Sequence, residues 1–126
     1  VTKKVVDGNR TAIRHLKSIR DCAVEMERAL SRGHLKSLAP IFAREWKARK
    51  QLAPNISTPQ MDRLMRAAQK KGALAGKVCG AGGGGCVAFI VPPAKKQSVM
   101  EELTSKGGKV LPFRFVSRGL RCQAPA

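Results

Sequence analysis

Between Val78 and Val87 the chain reads Cys79-Gly80-Ala81-Gly82-Gly83-Gly84-Gly85-Cys86. Glycine frees φ and lets backbone approach another group closely, and successive bare N–H groups can converge on an anion. The chemistry open to this run is backbone binding of a phosphate-like group. Lys77, just ahead of it, either adds positive charge to such a site or is an ordinary strand-end lysine in solvent. The run matches G-x-G-x-x-G in letters, but that pattern signals a dinucleotide only where a helix follows. Here the following residues, CVAFIVPP, read as a strand. A Walker A loop would end in Gly-Lys-Ser/Thr, whereas Gly85 is followed by Cys86 and Val87. An interdomain linker is usually polar and Ser-rich, and a plain hairpin turn needs fewer glycines. Backbone that must come close to something is the better reading.

Other reactive side chains form no constellation. Cys22, Cys79, Cys86 and Cys122 contain no Cys-x-x-Cys pair and no His at zinc-finger spacing. They read as small buried or half-buried thiols in a reducing compartment, which predicts a cytoplasmic protein. His15 and His34 have no partner spacing and are expected at the surface. Asp21 and Asp62 fall within or at the start of predicted helices, where a surface or dipole role is expected.

The elements that would position the glycine run are marked by periodicity. Ile13, Leu16, Ile19, Ala23, Met26 and Leu30 recur at spacings of three and four, which predicts one helix with one apolar stripe, stopped near Gly33. A second helix is expected from His34 to about Leu52, with Leu35, Leu38, Phe42 and Trp46 on one side. Pro54 and Asn55 break it. Thr58-Pro59 then reads as a cap and first-turn pair, with Ser57 and Gln60 as an alternative capping box. The third helix carries Met61, Leu64, Met65 and Ala68 inward and ends at Gly72.

Beyond Gly72 the period shortens. ALAGKVC and CVAFIV predict strands on either side of the glycines, ended by Pro92 and Pro93. Residues 94–106 predict a helix with Val99, Met100 and Leu103 apolar. KVLPFRFV, residues 109–116, alternates Leu111, Phe113 and Phe115 and predicts a third strand, held to an edge by Pro112. The expected fold is α+β, with helices packed on a small, mostly antiparallel sheet.

At 126 residues the chain is one domain. It opens on Val1 rather than Met, which predicts a trimmed chain or a piece of something longer. No run is long and apolar enough to span a membrane. Its net charge of +17 attracts polyanions, phosphorylated metabolites or acidic protein surfaces. The excess is spread along the chain, with 17 Lys/Arg against 6 Asp/Glu in residues 1–72 and 8 against 2 in 73–126. Without Tyr, and with a single Trp, the sequence lacks the stacking residues and signatures of nucleic-acid modules. Nucleic acid is therefore a disfavoured partner.

GKVCGAGGGGCVAFIV also resembles the C-terminal motif of the GHMP kinases, which include galactokinase, homoserine kinase and mevalonate kinase. The preceding ISTPQMDRLMRAAQKKGALAG and REWKARKQLAPNIS are similar to the sugar-kinase branch, most of all to D-glycero-D-manno-heptose 7-phosphate kinases. The similarity covers roughly residues 10–118. It implies a ferredoxin-like C-terminal domain of a two-domain enzyme that transfers phosphate from ATP, with Mg²⁺, to a sugar or sugar phosphate. Gly80, Ala81, Gly82, Gly83, Gly84 and Gly85 would line the phosphoryl-transfer cleft. Trp46 and Lys47 would lie toward the sugar side, although the residues themselves read more simply as a core tryptophan and a solvated lysine. The family's ATP-binding motif, Pro-x-x-x-Gly-Leu-Gly-Ser-Ser, does not occur in this sequence. The resemblance therefore assigns the metal ligands and any catalytic Asp to an N-terminal domain, and no catalytic residue to this chain. A module that only binds a phosphorylated ligand or partner is the alternative from another class.

Overall fold

The computed structural model describes residues 1–120 and 122. A short helix α1 (Thr2–Val6) leads into α2 (Arg10–Ser31). Asn9 caps α2, its side chain accepting from the Ala12 amide at 2.9 Å, which satisfies one of the helix's otherwise unpaired first-turn donors. Sequence periodicity gave no sign of α1, because five residues are too few to show a period.

The second predicted helix begins later than expected. Leu35–Ser37 form a 3₁₀ turn, and α3 runs over Leu38–Lys50. Pro40 supplies the reason. An α-helix continuous from His34 would need the Pro40 amide as donor to residue 36 and would drive the ring into that carbonyl. With α3 starting at Leu38, Pro40 falls in the first turn, where no donor is missed.

The third predicted helix forms as α4 (Pro59–Lys70). The Thr58 cap is the one used, accepting from Met61 N at 3.2 Å, while Ser57 Oγ donates to Asp62 at 2.7 Å. Strands β1 (Ala75–Val78) and β2 (Val87–Ile90) pair antiparallel, with Ala75 opposite Ile90 and Val78 opposite Val87. Within this ladder Gly76 faces Phe89, and a Cβ on Gly76 would lie 2.8 Å from the ring. The missing side chain is what lets the aromatic lie across the strand. A second 3₁₀ turn (Pro93–Lys95) and α5 (Lys96–Ser105) complete the order.

The third strand does not form. Residues 109–116 carry no regular structure, and Leu111, Phe113, Phe115 and Val116 are all exposed. Pro112 removes a ladder donor from the middle of the run. Phe113 and Phe115 pack edge-on against each other, their ring centroids 5.6 Å apart, rather than against the sheet. The architecture among the described residues is thus α+β, with helices laid on a two-stranded antiparallel hairpin.

The principal core joins Trp46, Leu52, Ile56, Met61, Met65 and Val78, with Leu16, Ile19, Val87 and Phe89 packed around it. A smaller cluster of Ala68, Ala73 and Val99 seats α5. Between α2 and α3, Cys22, Ala29 and Ile41 are buried with Met26 and Leu38 against them. Arg44 ties the same two helices by donating to Cys22 Sγ at 3.3 Å and to Glu25. The Glu25 hydrogen bond, and then that to Cys22, hold its guanidinium above its ordinary pKa range.

The stripe of α2 is rotated from expectation. Ala12, Cys22 and Ala29 are buried, whereas Ala23 and Leu30 are exposed. Those two line, with Ile19, Met26 and Phe42, a groove of about 550 Å³ between α2 and α3. Of the four thiols, Cys22 alone matches the expected burial, and Cys79, Cys86 and Cys122 are exposed. His34 is exposed as expected, but His15 is half-buried.

Candidate site at the glycine loop

The loop grows directly out of the hairpin. Cys79 N–H donates to Cys86 O at 2.8 Å, which adds one rung beyond the Val78–Val87 pair. The intervening residues then leave the sheet. Gly82 takes φ of +92° and packs against the connection between α3 and α4. A Cβ there would sit 2.7 Å from Ile56 O and 3.0 Å from Ile56 Cα. Gly83 N–H donates to Ile56 O at 3.0 Å. Glycine is therefore required at Gly82 by contact as well as by φ.

Ile56 can serve as this anchor because its side chain is buried in the principal core. Its neighbour Asn55 takes a positive φ of 65°, a conformation that asparagine tolerates better than most side chains. The connection read from sequence merely as a helix break is thus the seat of the loop. Pro54-Asn55 signalled a turn, but nothing in the letters paired that turn with residues 82 and 83.

Away from the pin, the loop is open. Nothing lies within 4 Å of where side chains on Gly80, Gly84 and Gly85 would project. Among the described residues, the amides of Ala81, Gly82, Gly84 and Gly85 donate no hydrogen bond. Exposed, unpaired N–H groups on glycine backbone suit a phosphate. Among the described residues, no group of three His, Cys, Asp or Glu side chains converges that could hold a metal ion.

Lys77 fits neither of its sequence readings. It lies inside β1, not at its end, and its ammonium is 2.9 Å from Glu45 Oε2 and 5.6 Å from the Phe42 ring centre. The Glu45 contact is an ion pair whose angles fall short of a hydrogen bond. Arg49 donates to the other carboxylate oxygen from Nε at 2.7 Å and again from Nη2. Glu45 is 6% exposed, and removing a carboxylate from water is costly unless charges compensate it. Two cations do so here. Lys77 is thereby committed to α3 and is not a free charge beside the glycines. The i,i+4 spacing of Glu45 and Arg49 was legible in sequence, but Lys77 enters the trio only because β1 packs on α3.

Trp46 is buried in the principal core, with the Lys50 ammonium 5.7 Å from its ring centre. Lys47 is exposed. It lines a shallow concavity of about 270 Å³ with Lys50, Asp62, Arg66 and Gly76, a lining that includes none of Gly80 to Gly85. The structure therefore seats the loop on Ile56 through Gly82 and Gly83 alone and leaves Lys77, Trp46 and Lys47 in other settings.

Residues 26–109, two thirds of the chain, match the family described as GHMP kinases C terminal. The chain belongs to the GHMP kinase C-terminal family. A D-glycero-alpha-D-manno-heptose 7-phosphate kinase from Campylobacter jejuni is 31% identical over 119 residues, covering 94% of this chain and 35% of the relative. A mevalonate kinase from Thermococcus onnurineus is 37% identical over 71 residues, 56% of this chain and 21% of the relative. One from Methanocaldococcus jannaschii is 35% identical over 63 residues, 50% and 20% respectively. This GHMP kinase domain thus spans about a third or less of the relatives it matches. No helix among its described residues is long and apolar enough to cross a membrane.

Proposed function

We propose that this domain is the C-terminal part of an ATP-dependent, Mg²⁺-using kinase of the cytoplasm, acting on a sugar or sugar phosphate of the heptose 7-phosphate type. In this reading Gly80 to Gly85 face an N-terminal domain across the phosphoryl-transfer cleft. The observation that carries it is the loop itself: amides without acceptors, on a glycine run inside the residues that match the family. Phosphoryl transfer depends mainly on positioning and charge stabilisation, so bare backbone is a sufficient contribution. The ATP-binding motif, the Mg²⁺ ligands and any catalytic carboxylate fall to the N-terminal domain. Likeness to the heptose kinase over 94% of the chain supports the sugar-phosphate substrate class over mevalonate.

Full-length protein given ATP, Mg²⁺ and either heptose 7-phosphate or mevalonate tests the reading. Transfer to the sugar phosphate is expected, and no transfer to any sugar or sugar phosphate would overturn it. The 126-residue chain alone is expected to transfer nothing. Gly84→Val in the complete enzyme is expected to lower kcat by roughly tenfold to a hundredfold. The open position of Gly84 predicts an unchanged denaturation midpoint. A binding-only module is the second reading, favoured by those same open amides. It would appear as ATP or sugar-phosphate binding by the 126-residue chain together with an inactive full-length protein.

A further inference from the structure

Two exposed thiols stand at the neck of the glycine loop, and the kinase reading uses neither. Cys79 N–H donates to Cys86 O at 2.8 Å, so the pair sits directly opposite across the ladder, one rung past Val78 and Val87. Side chains of such a pair leave the sheet on the same face. Directly opposed antiparallel partners have Cα atoms about 4.5–5.5 Å apart, inside the roughly 4.4–6.8 Å span that a disulfide bridges.

We propose that Cys79 and Cys86 form a reversible disulfide that closes the loop into a ring, with a small-molecule disulfide such as oxidised glutathione as the oxidant. One cysteine thiolate attacks the glutathione disulfide and expels one glutathione as thiol. The other then attacks the protein sulfur of the mixed disulfide and expels the second. The two cysteine thiols lose two electrons and two protons, and the glutathione disulfide takes up both to become two thiols.

Three further observations support the pairing. Both cysteines are exposed, so an oxidant reaches them. Each is joined to the loop through a glycine, Gly80 or Gly85, with no neighbour packed where a side chain would be, and glycine backbone has the widest conformational range to adjust to disulfide geometry. Cys22 is no competitor, being buried under Arg44 between α2 and α3. Cys122 is the remaining exposed thiol.

Full-length protein equilibrated in glutathione buffers of rising oxidised fraction, then alkylated and digested with trypsin, tests this. Residues 78–95 contain no internal Lys or Arg, so both cysteines fall in one peptide. The expected result is loss of both alkylation sites in that peptide, with a mass two hydrogens lower, reversed by dithiothreitol. Cys122→Ser should leave the cross-link intact. Cys79→Ser should abolish it and leave Cys86 as a glutathione adduct. Two alkylated cysteines throughout, stable glutathione adducts on the wild-type pair, or a bridge to Cys122 would each overturn the proposal. The readout involves no catalysis, so its failure leaves the kinase reading untouched, and the reverse holds.

Discussion

At the scale of single residues, the glycines of the loop are not equivalent. Gly82 combines φ of +92° with backbone 2.7 Å from where its Cβ would be. Holding a non-glycine residue in that region costs roughly 1–3 kcal/mol before any clash is counted. Gly82→Ala is therefore expected to lower the unfolding free energy, read from urea denaturation, by at least that much. Gly84 has neither constraint, so Gly84→Ala should stay within about 0.5 kcal/mol of the parent. Equal losses in the two variants would mean that the pin on Ile56 does not hold the loop.

The Glu45 trio makes a second prediction at this scale. Glu45→Gln leaves Lys77 and Arg49 facing a neutral amide. Removing one partner of a fully buried pair costs about 3–5 kcal/mol. Here the lysine and arginine side chains are 22% and 26% exposed, so water takes up part of the loss and about 1–3 kcal/mol is expected. Adding Lys77→Met should recover part of it, and additive losses in that double-mutant cycle would show that the two do not interact.

At the scale of elements, α4 depends on its first turn. Thr58→Ala removes the bond to Met61 N and should cost about 1 kcal/mol, read as a lower thermal midpoint. That cap was legible in sequence, as were α2, α4, α5 and the β1–β2 hairpin, because each carries its own period or punctuation. Legibility ended where partners decide. Leu111, Phe113 and Phe115 have the alternation of a strand, yet alternation names a face without supplying a neighbour to pair with. The loop's glycines were visible, but their seat on Ile56 links residues far apart in the chain, and no local pattern encodes that. Lys77 was misread for the same reason, since its fate is set by a helix packed across the strand.

At the scale of the whole molecule, exposed apolar side chains are expected to influence its behaviour in solution. Phe113 and Phe115 are 81% and 95% exposed, and both edges of the hairpin are free among the described residues. An unpaired edge is a template for another chain. The double variant Phe113→Ser/Phe115→Ser is expected to reduce self-association in sedimentation while leaving the unfolding free energy within about 0.5 kcal/mol. A large loss of stability would mean that these rings belong to the core. The placement of Trp46 has a different use. It is the single tryptophan of a chain that has no tyrosine, it lies in the principal core, and Lys50 stands beside its ring. The domain thus contains its own fluorescent probe: emission excited near the red edge of protein absorption comes from one indole, whose spectrum reports whether α3, α4 and β1 are still assembled.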